Sequence, residues 1–185
     1  KMEKKIFEHF AHPVFKYKVK DYINHNKILE KYIYQLQRED PKGQKKSNIG
    51  GWHSPLFDLN NNESVGYKFL ATLQPYIVDV FKSYGWSYNS QKVFYSGMWA
   101  IINKKGNSNT EHIHPNSNLS AAYYVKAPEN CGNIHFYEPN EVKKFHTPPV
   151  EKMTELSSSG FSIKPEEGNL LIFPSYLYHD VGKSL

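Results

Sequence analysis

Residues 118–137 read NLSAAYYVKAPENCGNIHFY, and this stretch decides the fold class. Tyrosine, valine, isoleucine and phenylalanine in its two outer parts favour strands, while the central APENCG carries the residues that form turns. In the second part, the polar His135 alternates with the apolar Ile134 and Phe136. This period of two is typical of a strand with one buried face. The stretch therefore predicts two strands joined by a turn.

Similar strand-forming runs occur on both sides of this stretch. VFYSGMWAIIN, GFSI and GNLLIFP occupy residues 93–103, 160–163 and 168–174, and polar segments rich in glycine, asparagine and proline separate them. Several short strands spaced by about 8–12 residues are typical of a sandwich or barrel and not of alternating strands and helices. We therefore predict a mainly β core with flanking helices, and place the core at about residues 91–185.

The first ninety residues have a different pattern. Residues 11–20 alternate between apolar and polar side chains and predict an opening strand. Asp21 is placed to cap a first helix, and Ser64 to cap a second helix that ends near Gly85. Pro75 should kink the second helix or split it in two. We therefore predict that residues 1–90 form an opening strand and helices that support the β core, and that residues 1–185 form one domain.

Charge and cysteine content limit the classes of partner. The net charge is +5, and of the 23 lysine and arginine residues only Arg38 is an arginine. Proteins that read nucleic acid usually use clustered arginines, so we do not expect a nucleic-acid partner. Cys131 is the only cysteine, which excludes an intramolecular disulfide and agrees with a reducing compartment. Neither a signal peptide nor an apolar run of about 18 residues is found. We expect a cytoplasmic protein with no membrane contact.

Three of the nine histidines form a pattern that can bind metal. His112 and His114 are two residues apart, so on an extended segment their side chains project to the same side. A third ligand must come from elsewhere, and the best candidate is His179, in GNLLIFPSYLYHDVG at residues 168–182. The alternative is that His112 and His114 are two solvent-facing residues at the start of a strand. Of the remaining histidines, we assign His135 to one face of a strand and the others to surface or loop positions, with His53 and His146 in loops.

Several other chemistries find no support in the sequence. The serine nucleophile pattern GxSxG, a glycine-rich phosphate loop and the zinc protease pattern HExxH are all missing from the 185 residues. Cys131 has no evident base partner, and Glu166 and Glu167 read as a solvated turn. The histidine pattern is therefore the strongest indication of chemistry in the sequence.

Two blocks of sequence together resemble a known family. HIHPNSNLSAAYYVKAPENCGNIHFYEP at residues 112–139 and GNLLIFPSYLYHDVG at residues 168–182 are similar to a family of 2-oxoglutarate- and Fe(II)-dependent oxygenases of bacteria and phages. The resemblance covers roughly residues 93–182. It implies a double-stranded β-helix core, also called a jelly roll or cupin-like fold. It also implies Fe(II), 2-oxoglutarate and molecular oxygen as reactants, and hydroxylation of a small molecule or a protein side chain.

Carried onto this sequence, the resemblance makes His112, His114 and His179 the iron ligands and implies no catalytic residue beyond them. Related oxygenases commonly use two histidines and one carboxylate, which leave three open positions on the iron. Here His114 stands in the carboxylate position. Two alternatives therefore stay open, namely a three-histidine cupin-like metalloprotein that does not use 2-oxoglutarate, and a catalytically silent jelly-roll binding module.

The resemblance also indicates a cosubstrate pocket, which we assign to Asn103, Tyr124 and Ser175. Such enzymes usually hold the distal carboxylate of 2-oxoglutarate with a cation on a strand after the distal histidine. This sequence ends six residues after His179, and Arg38 is far from that position. We therefore expect a core without its final strand in these residues, and an open edge that favours a homo-oligomer. Five aromatic residues are candidates for the cavity wall: Trp99, Tyr123, Tyr124, Phe136 and Tyr137.

Overall fold

The computed structural model describes residues 3–7, 9–89, 93–146 and 148–185. Its helices are α1 (Tyr22–Glu39), α2 (Val65–Tyr84) and α3 (Glu141–Phe145). Its strands are β1 (Phe15–Lys18), β2 (Asn48–Ile49), β3 (Trp52–His53), β4 (Ile101–Ile102), β5 (Ser108–His112), β6 (Leu119–Tyr123), β7 (Ile134–Tyr137), β8 (Gly160–Ile163), β9 (Asn169–Pro174) and β10 (His179–Val181).

The strands form antiparallel sheets in which sequence neighbours are often not sheet neighbours. One sheet has the order β1-β9-β6, a second has the order β2-β5-β10-β7-β8, and β3 pairs with β4. β10 lies in the middle of the larger sheet, between β5 and β7. This crossing order brings segments separated by more than sixty residues into direct hydrogen-bonded contact, and it places β5 and β10 side by side.

β9 is buried on both of its faces because it lies between two layers. Leu170 and Ile172 pack on one side against the helices, in a core that includes Leu29 and Phe69. The alternate residues of β9 pack on the other side, against β7 of the five-stranded sheet: Leu171, Phe173, Ile134 and Phe136. Two core clusters therefore share one strand, and β9 holds the helical layer to the sheets.

The two long helices begin differently. Ser64 caps α2 as predicted, because its hydroxyl accepts a hydrogen bond from the Tyr67 backbone N–H at 3.0 Å. Asp21 precedes α1 but has a left-handed backbone, with φ 55°, and its side chain caps no backbone N–H. The predicted side-chain cap at Asp21 is therefore wrong; its carboxylate accepts a hydrogen bond from the Asn24 side chain instead.

Pro75 does not split α2 into two helices. The helix runs from Val65 to Tyr84 with Pro75 inside it, so the alternative of two helices is wrong, while the alternative of a kink stays a prediction. Apolar residues on both sides of the proline, among them Leu73 and Val80, pack into the same core. That shared burial favours a continuous helix despite the lost backbone hydrogen bond.

Four of the five predicted strands of the β-rich half are confirmed, and so is the mainly β fold class with flanking helices. The run at residues 93–103 is the exception, because it forms a strand only at Ile101–Ile102. Residues 118–137 form β6 and β7, and the run at residues 168–174 forms β9. β5 was not predicted as a strand because its residues, SNTEH, are polar and carry no alternating pattern. Pairing with β2 and β10 holds it in the sheet.

Candidate metal centre

The three histidines of the HxH…H pattern lie together at one end of the five-stranded sheet. His112 is the last residue of β5, His179 is the first residue of β10, and the two are directly paired across the antiparallel ladder. His114 follows two residues after β5, and its backbone N–H donates to the Ser175 carbonyl at 3.0 Å. The sheet topology therefore produces the convergence that the sequence spacing could only suggest.

Ring geometry confirms that the three side chains face one another. One ring nitrogen of each lies within 4.8 Å of those of the other two. The ring centroids are 4.3 Å apart for His112 and His179, 5.0 Å for His112 and His114, and 5.1 Å for His114 and His179. His179 is buried, while the other two rings are half-buried and open to the outside on one side.

Backbone carbonyls fix the orientation of two of the rings. Nδ1 of His112 lies 2.7 Å from the Thr110 carbonyl, and Nδ1 of His179 lies 2.9 Å from the Leu177 carbonyl. A carbonyl oxygen can only accept, so each Nδ1 carries the proton and donates it. In the neutral ring, Nε2 then keeps its lone pair for a metal ion, as in many metal-binding histidines.

The electrostatic environment favours the neutral imidazole that a metal ion requires. Burial is the main reason why the pKa of His179 is lowered to about 4, and the neighbouring His112 and His114 contribute to the decrease. Burial also lowers the pKa of His114, with a smaller contribution from His112. Both rings are therefore uncharged at neutral pH and can coordinate a metal ion without first losing a proton.

The donor set fits Fe(II). Imidazole nitrogen suits iron, and three ligands grouped at the end of a sheet leave positions open for other molecules. The set contains no carboxylate, so the protein contributes three neutral ligands where related sites contribute two neutral ligands and one anion. The His112, His114 and His179 cluster is therefore suited to Fe(II) while differing from the commoner triad.

Of the five residues proposed for the cavity wall, two lie near the histidines and two point away from them. Trp99 is 5.7 Å from His114, and Phe136 is 6.1 Å from His179, measured between ring centroids. Tyr123 instead contacts Phe69 of α2 and donates to Asn26 of α1. Alternation along β6 turns the side chain of this tyrosine toward the helices, away from the histidines.

Tyr137 is the second wall residue that points away. Its hydroxyl donates to Asp180 Oδ2 at 2.6 Å, and His135 Nδ1 lies 2.6 Å from Oδ1 of the same carboxylate. Asp180 follows His179 in β10, so its side chain lies on the opposite face of the sheet from the histidine cluster. The hydrogen bond and charge of Asp180 raise the pKa of Tyr137 to about 12.

His53 was taken as a loop residue, and that assignment is wrong. It lies in β3, is 5% exposed, and stacks on the Trp99 ring at 5.6 Å with the planes 16° apart. Its burial is the main reason why its pKa is lowered. Little in the sequence indicates this burial, because β3 has only two residues and Trp52 is the one apolar residue in it.

The three residues assigned to the cosubstrate pocket lie in different surroundings. Ser175 is fully buried beside the cluster; its hydroxyl lies 2.7 Å from that of Ser120, and its carbonyl binds the His114 backbone. Tyr124 packs in the core between the sheets, where burial raises the pKa of its phenol. Asn103 follows β4 and donates to Asn109 at 2.8 Å, while its buried Oδ1 finds no partner among the described residues.

Comparison with known proteins agrees with this geometry. The family described as "Putative 2OG-Fe(II) oxygenase" matches over residues 97–184, which contain all three histidines. This part of the chain is thus that of a 2-oxoglutarate-dependent dioxygenase, with Fe(II) and 2-oxoglutarate as its cofactors. A search of curated proteins finds no match to the sequence.

Solved structures show the fold of this oxygenase. A prolyl-4-hydroxylase from Pseudomonas putida matches with a TM-score of 0.64 and 12% identity, over 94% of this chain and 86% of its own. A prolyl hydroxylase from Trichoplax adhaerens, in complex with a peptide fragment of the oxygen degradation domain of hypoxia inducible factor, also has a TM-score of 0.64 and 12% identity. That match covers 92% of this chain and 77% of the other. Both likenesses extend over the helical half as well as the core.

The helices were also compared with the length and apolarity that a membrane span requires. Among the described residues, no helix is both long and apolar enough to cross a bilayer.

Proposed function

We propose that this protein is an Fe(II)- and 2-oxoglutarate-dependent hydroxylase that acts on a side chain of a peptide or protein. The observation that carries the proposal is the convergence of His112, His114 and His179 within 4.8 Å, in a segment of the 2OG-Fe(II) oxygenase family. We assign these three residues as the iron ligands. When bound, Fe(II) and 2-oxoglutarate activate molecular oxygen: one oxygen atom enters the substrate as a hydroxyl group, and the other enters succinate as carbon dioxide is released.

The residues of this chain would bind and orient the reactants. His112 and His179 present Nε2 toward the shared centre because their Nδ1 protons are held by carbonyls. We propose that the protonated phenol of Tyr124 and the hydroxyl of Ser175 donate to 2-oxoglutarate, and that Asn103 contributes the partnerless Oδ1 to the pocket lining. Phe173, 4.8 Å from His179, excludes water from the inner side of the site.

The substrate class rests on two observations. The Trichoplax protein of the same fold binds a peptide fragment, which supports a peptide as substrate here. Exposed rings also lie near the histidine cluster: Trp99 is 37% exposed beside His114, and Phe161 is 48% exposed and stacks on Phe136, whose ring centroid is 6.1 Å from that of His179. Solvent-exposed aromatic rings next to a reactive centre are suited to hold extended peptide segments.

Succinate formation from 2-oxoglutarate tests the reaction, and it can be measured without the true substrate as slow uncoupled turnover. Wild-type protein with Fe(II) should release succinate, and His112→Ala and His179→Ala should release none. His146→Ala is the matched control, because His146 is exposed at the end of α3. Metal binding without succinate release would support the three-histidine alternative that does not use 2-oxoglutarate.

Peptide hydroxylation tests the substrate class. A peptide library incubated with the protein, Fe(II) and 2-oxoglutarate should yield peptides that gain the mass of one oxygen atom. Small molecules tested in parallel as substrates should not be hydroxylated. Succinate release that is stimulated by small molecules and by no peptide would contradict the peptide assignment while leaving the reaction intact.

Tyr124→Phe tests the cosubstrate pocket. Loss of a single hydroxyl donor to the 2-oxoglutarate carboxylate should raise the KM for 2-oxoglutarate by roughly 10-fold, the range expected for one hydrogen bond to a charged group. Fe(II) affinity should stay unchanged. An unaltered KM would remove Tyr124 from the pocket.

A further inference from the structure

The three proposed iron ligands are not held in the same way. His112 and His179 are each fixed by a hydrogen bond to the carbonyl two residues earlier. Among the described residues, none forms a hydrogen bond with the His114 ring. Its neighbours are instead aromatic rings: His112, His179 and Trp99.

The backbone of His114 is already restrained, which leaves its side chain as the part that can move. Its N–H is bonded to Ser175, and the following Pro115 restricts His114 to an extended conformation. Rotation about the two side-chain bonds of His114 therefore decides whether the imidazole points at the centre or away from it. Trp99, at 5.7 Å with its plane at 53° to the imidazole, limits that rotation from outside the cluster.

Trp99 is itself held in place from behind. Its indole stacks on the buried His53 ring, whose Nδ1 bonds to the Ser54 carbonyl at 2.7 Å. The adjacent Ala100 is tied to Ser54 twice: its carbonyl accepts from the Ser54 N–H, and its N–H donates to the Ser54 hydroxyl, both at 2.9 Å. Both the ring and the backbone of Trp99 are thus fixed to β3.

We infer that Trp99 is a positioning residue for His114, with His53 as its support. This inference rests on the proposed role of His114 as an iron ligand. The indole replaces, by packing, the orienting hydrogen bond that the other two ligands receive from the backbone. It thereby holds the His114 imidazole in the position that a carboxylate occupies in related sites. His53 and Trp99 thus extend the site from the metal ligands to β3 and to the segment that precedes β4.

Co(II) binding to substituted proteins tests this inference without relying on turnover. Trp99→Leu should weaken Co(II) binding by about 10-fold, the lower end of the loss seen when an outer partner of a ligand is removed. Trp99→Phe keeps an aromatic face and should restore most of the affinity. His53→Ala should weaken binding less than Trp99→Leu, whereas His53→Phe keeps the stack and should retain the wild-type affinity.

A matched control separates positioning from general destabilisation. Trp86 stacks on Tyr84 at 4.4 Å and meets Phe81 edge-on, in a separate aromatic cluster at the end of α2. Trp86→Leu should lower the Tm while leaving Co(II) affinity unchanged. Each variant is measured well below its own Tm, so that all of the protein is folded.

The proton NMR spectrum of the Co(II) protein counts the bound imidazoles, because each ring N–H near the paramagnetic ion gives its own shifted, exchangeable resonance. Wild-type protein should show three such resonances, and Trp99→Leu should lose or broaden one. If Trp99→Leu keeps three sharp resonances and the wild-type affinity, the inference is overturned while the proposed function stands. If the wild-type protein binds no Co(II), both are overturned.

Discussion

β9 and β10 are consecutive strands joined by residues 175–178, yet they have opposite properties. All six residues of β9 are buried, and the strand pairs with β1 and β6 in continuous register. β10 has three residues, is partly exposed, and shows a register shift against β5 between His179 and Val181. One strand holds the layers together, and the next carries a functional side chain where the ladder is irregular.

This difference teaches where stability and function are located. An irregular ladder leaves room for a ring to project into a site. Hydrogen bonds made by the side chains of β10 then restrain it: Asp180 is bound by Tyr137 and His135 on one face of the sheet, and the His179 ring donates to the Leu177 carbonyl on the other. Substitutions in β9 should therefore affect folding, and substitutions around β10 should affect the site.

The largest effect on stability is expected from β9. Leu170 is fully buried between β9 and the helices, so Leu170→Ala should lower the free energy of unfolding by about 2–5 kcal/mol. Urea unfolding of the metal-free protein measures this. Fe(II) affinity of the protein that remains folded should be unchanged; a weakened site would contradict the separation between the two strands.

Two tyrosines, one near the site and one in the scaffold, test the same separation with a smaller expected effect on stability. Tyr137 donates to Asp180 next to His179, and Tyr17 donates to Asp79 on α2 at 2.8 Å. The pKa of each phenol is raised to about 12, for Tyr17 mainly by burial and for Tyr137 mainly by its hydrogen bond. Either tyrosine changed to phenylalanine should lose about 1 kcal/mol of stability, the usual value for one hydrogen bond.

Metal affinity should separate the two tyrosine variants. Tyr137→Phe loosens the carboxylate that anchors β10 to β7 and should weaken Fe(II) binding measurably, whereas Tyr17→Phe lies in the scaffold and should not. Isothermal titration of both variants gives the comparison. Equal Fe(II) affinities would show that the Asp180 contacts do not restrain His179.

The last expected effect is a pH dependence of the stability of the metal-free protein. The pKa of His179 falls from 6.5 to about 4, chiefly through burial, so between these values the unfolded chain binds a proton that the folded chain does not. The free energy of unfolding should therefore fall as the pH is lowered from about 6.5 toward about 4. His179→Gln should flatten this part of the curve, and parallel curves for both proteins would refute the assigned cause.

The sequence predicted the β-rich half well because its strands carry their own signals. The alternation in NIHFY and the apolar run in GNLLIFP reflect burial on one face and on both faces, respectively. β5 escaped prediction because its polar residues are held only by pairing with distant strands. The residues of β5 alone do not indicate which distant strands will pair with it.

The metal centre was predictable in its residues but not in its supports. The spacing of His112 and His114, together with the resemblance, indicated a shared site with His179, and the structure brings all three together. The stacking of His53 on Trp99 and the contacts of Asp180 depend on which strands become neighbours. Which strands become neighbours depends on the topology, so the sequence placed His53 in a loop and Trp99 in the cavity wall, and it indicated no role for Asp180.

Anaerobic titration with Fe(II) of the wild-type protein and of His114→Ala tests the central claim most directly, because His114 takes the place of a carboxylate. The account predicts one Fe(II) per chain in the wild type, and a loss of affinity in His114→Ala of more than about 100-fold, beyond the range for outer partners. His146→Ala should bind like the wild type. Fe(II) binding by His114→Ala with wild-type affinity would contradict a three-histidine iron centre.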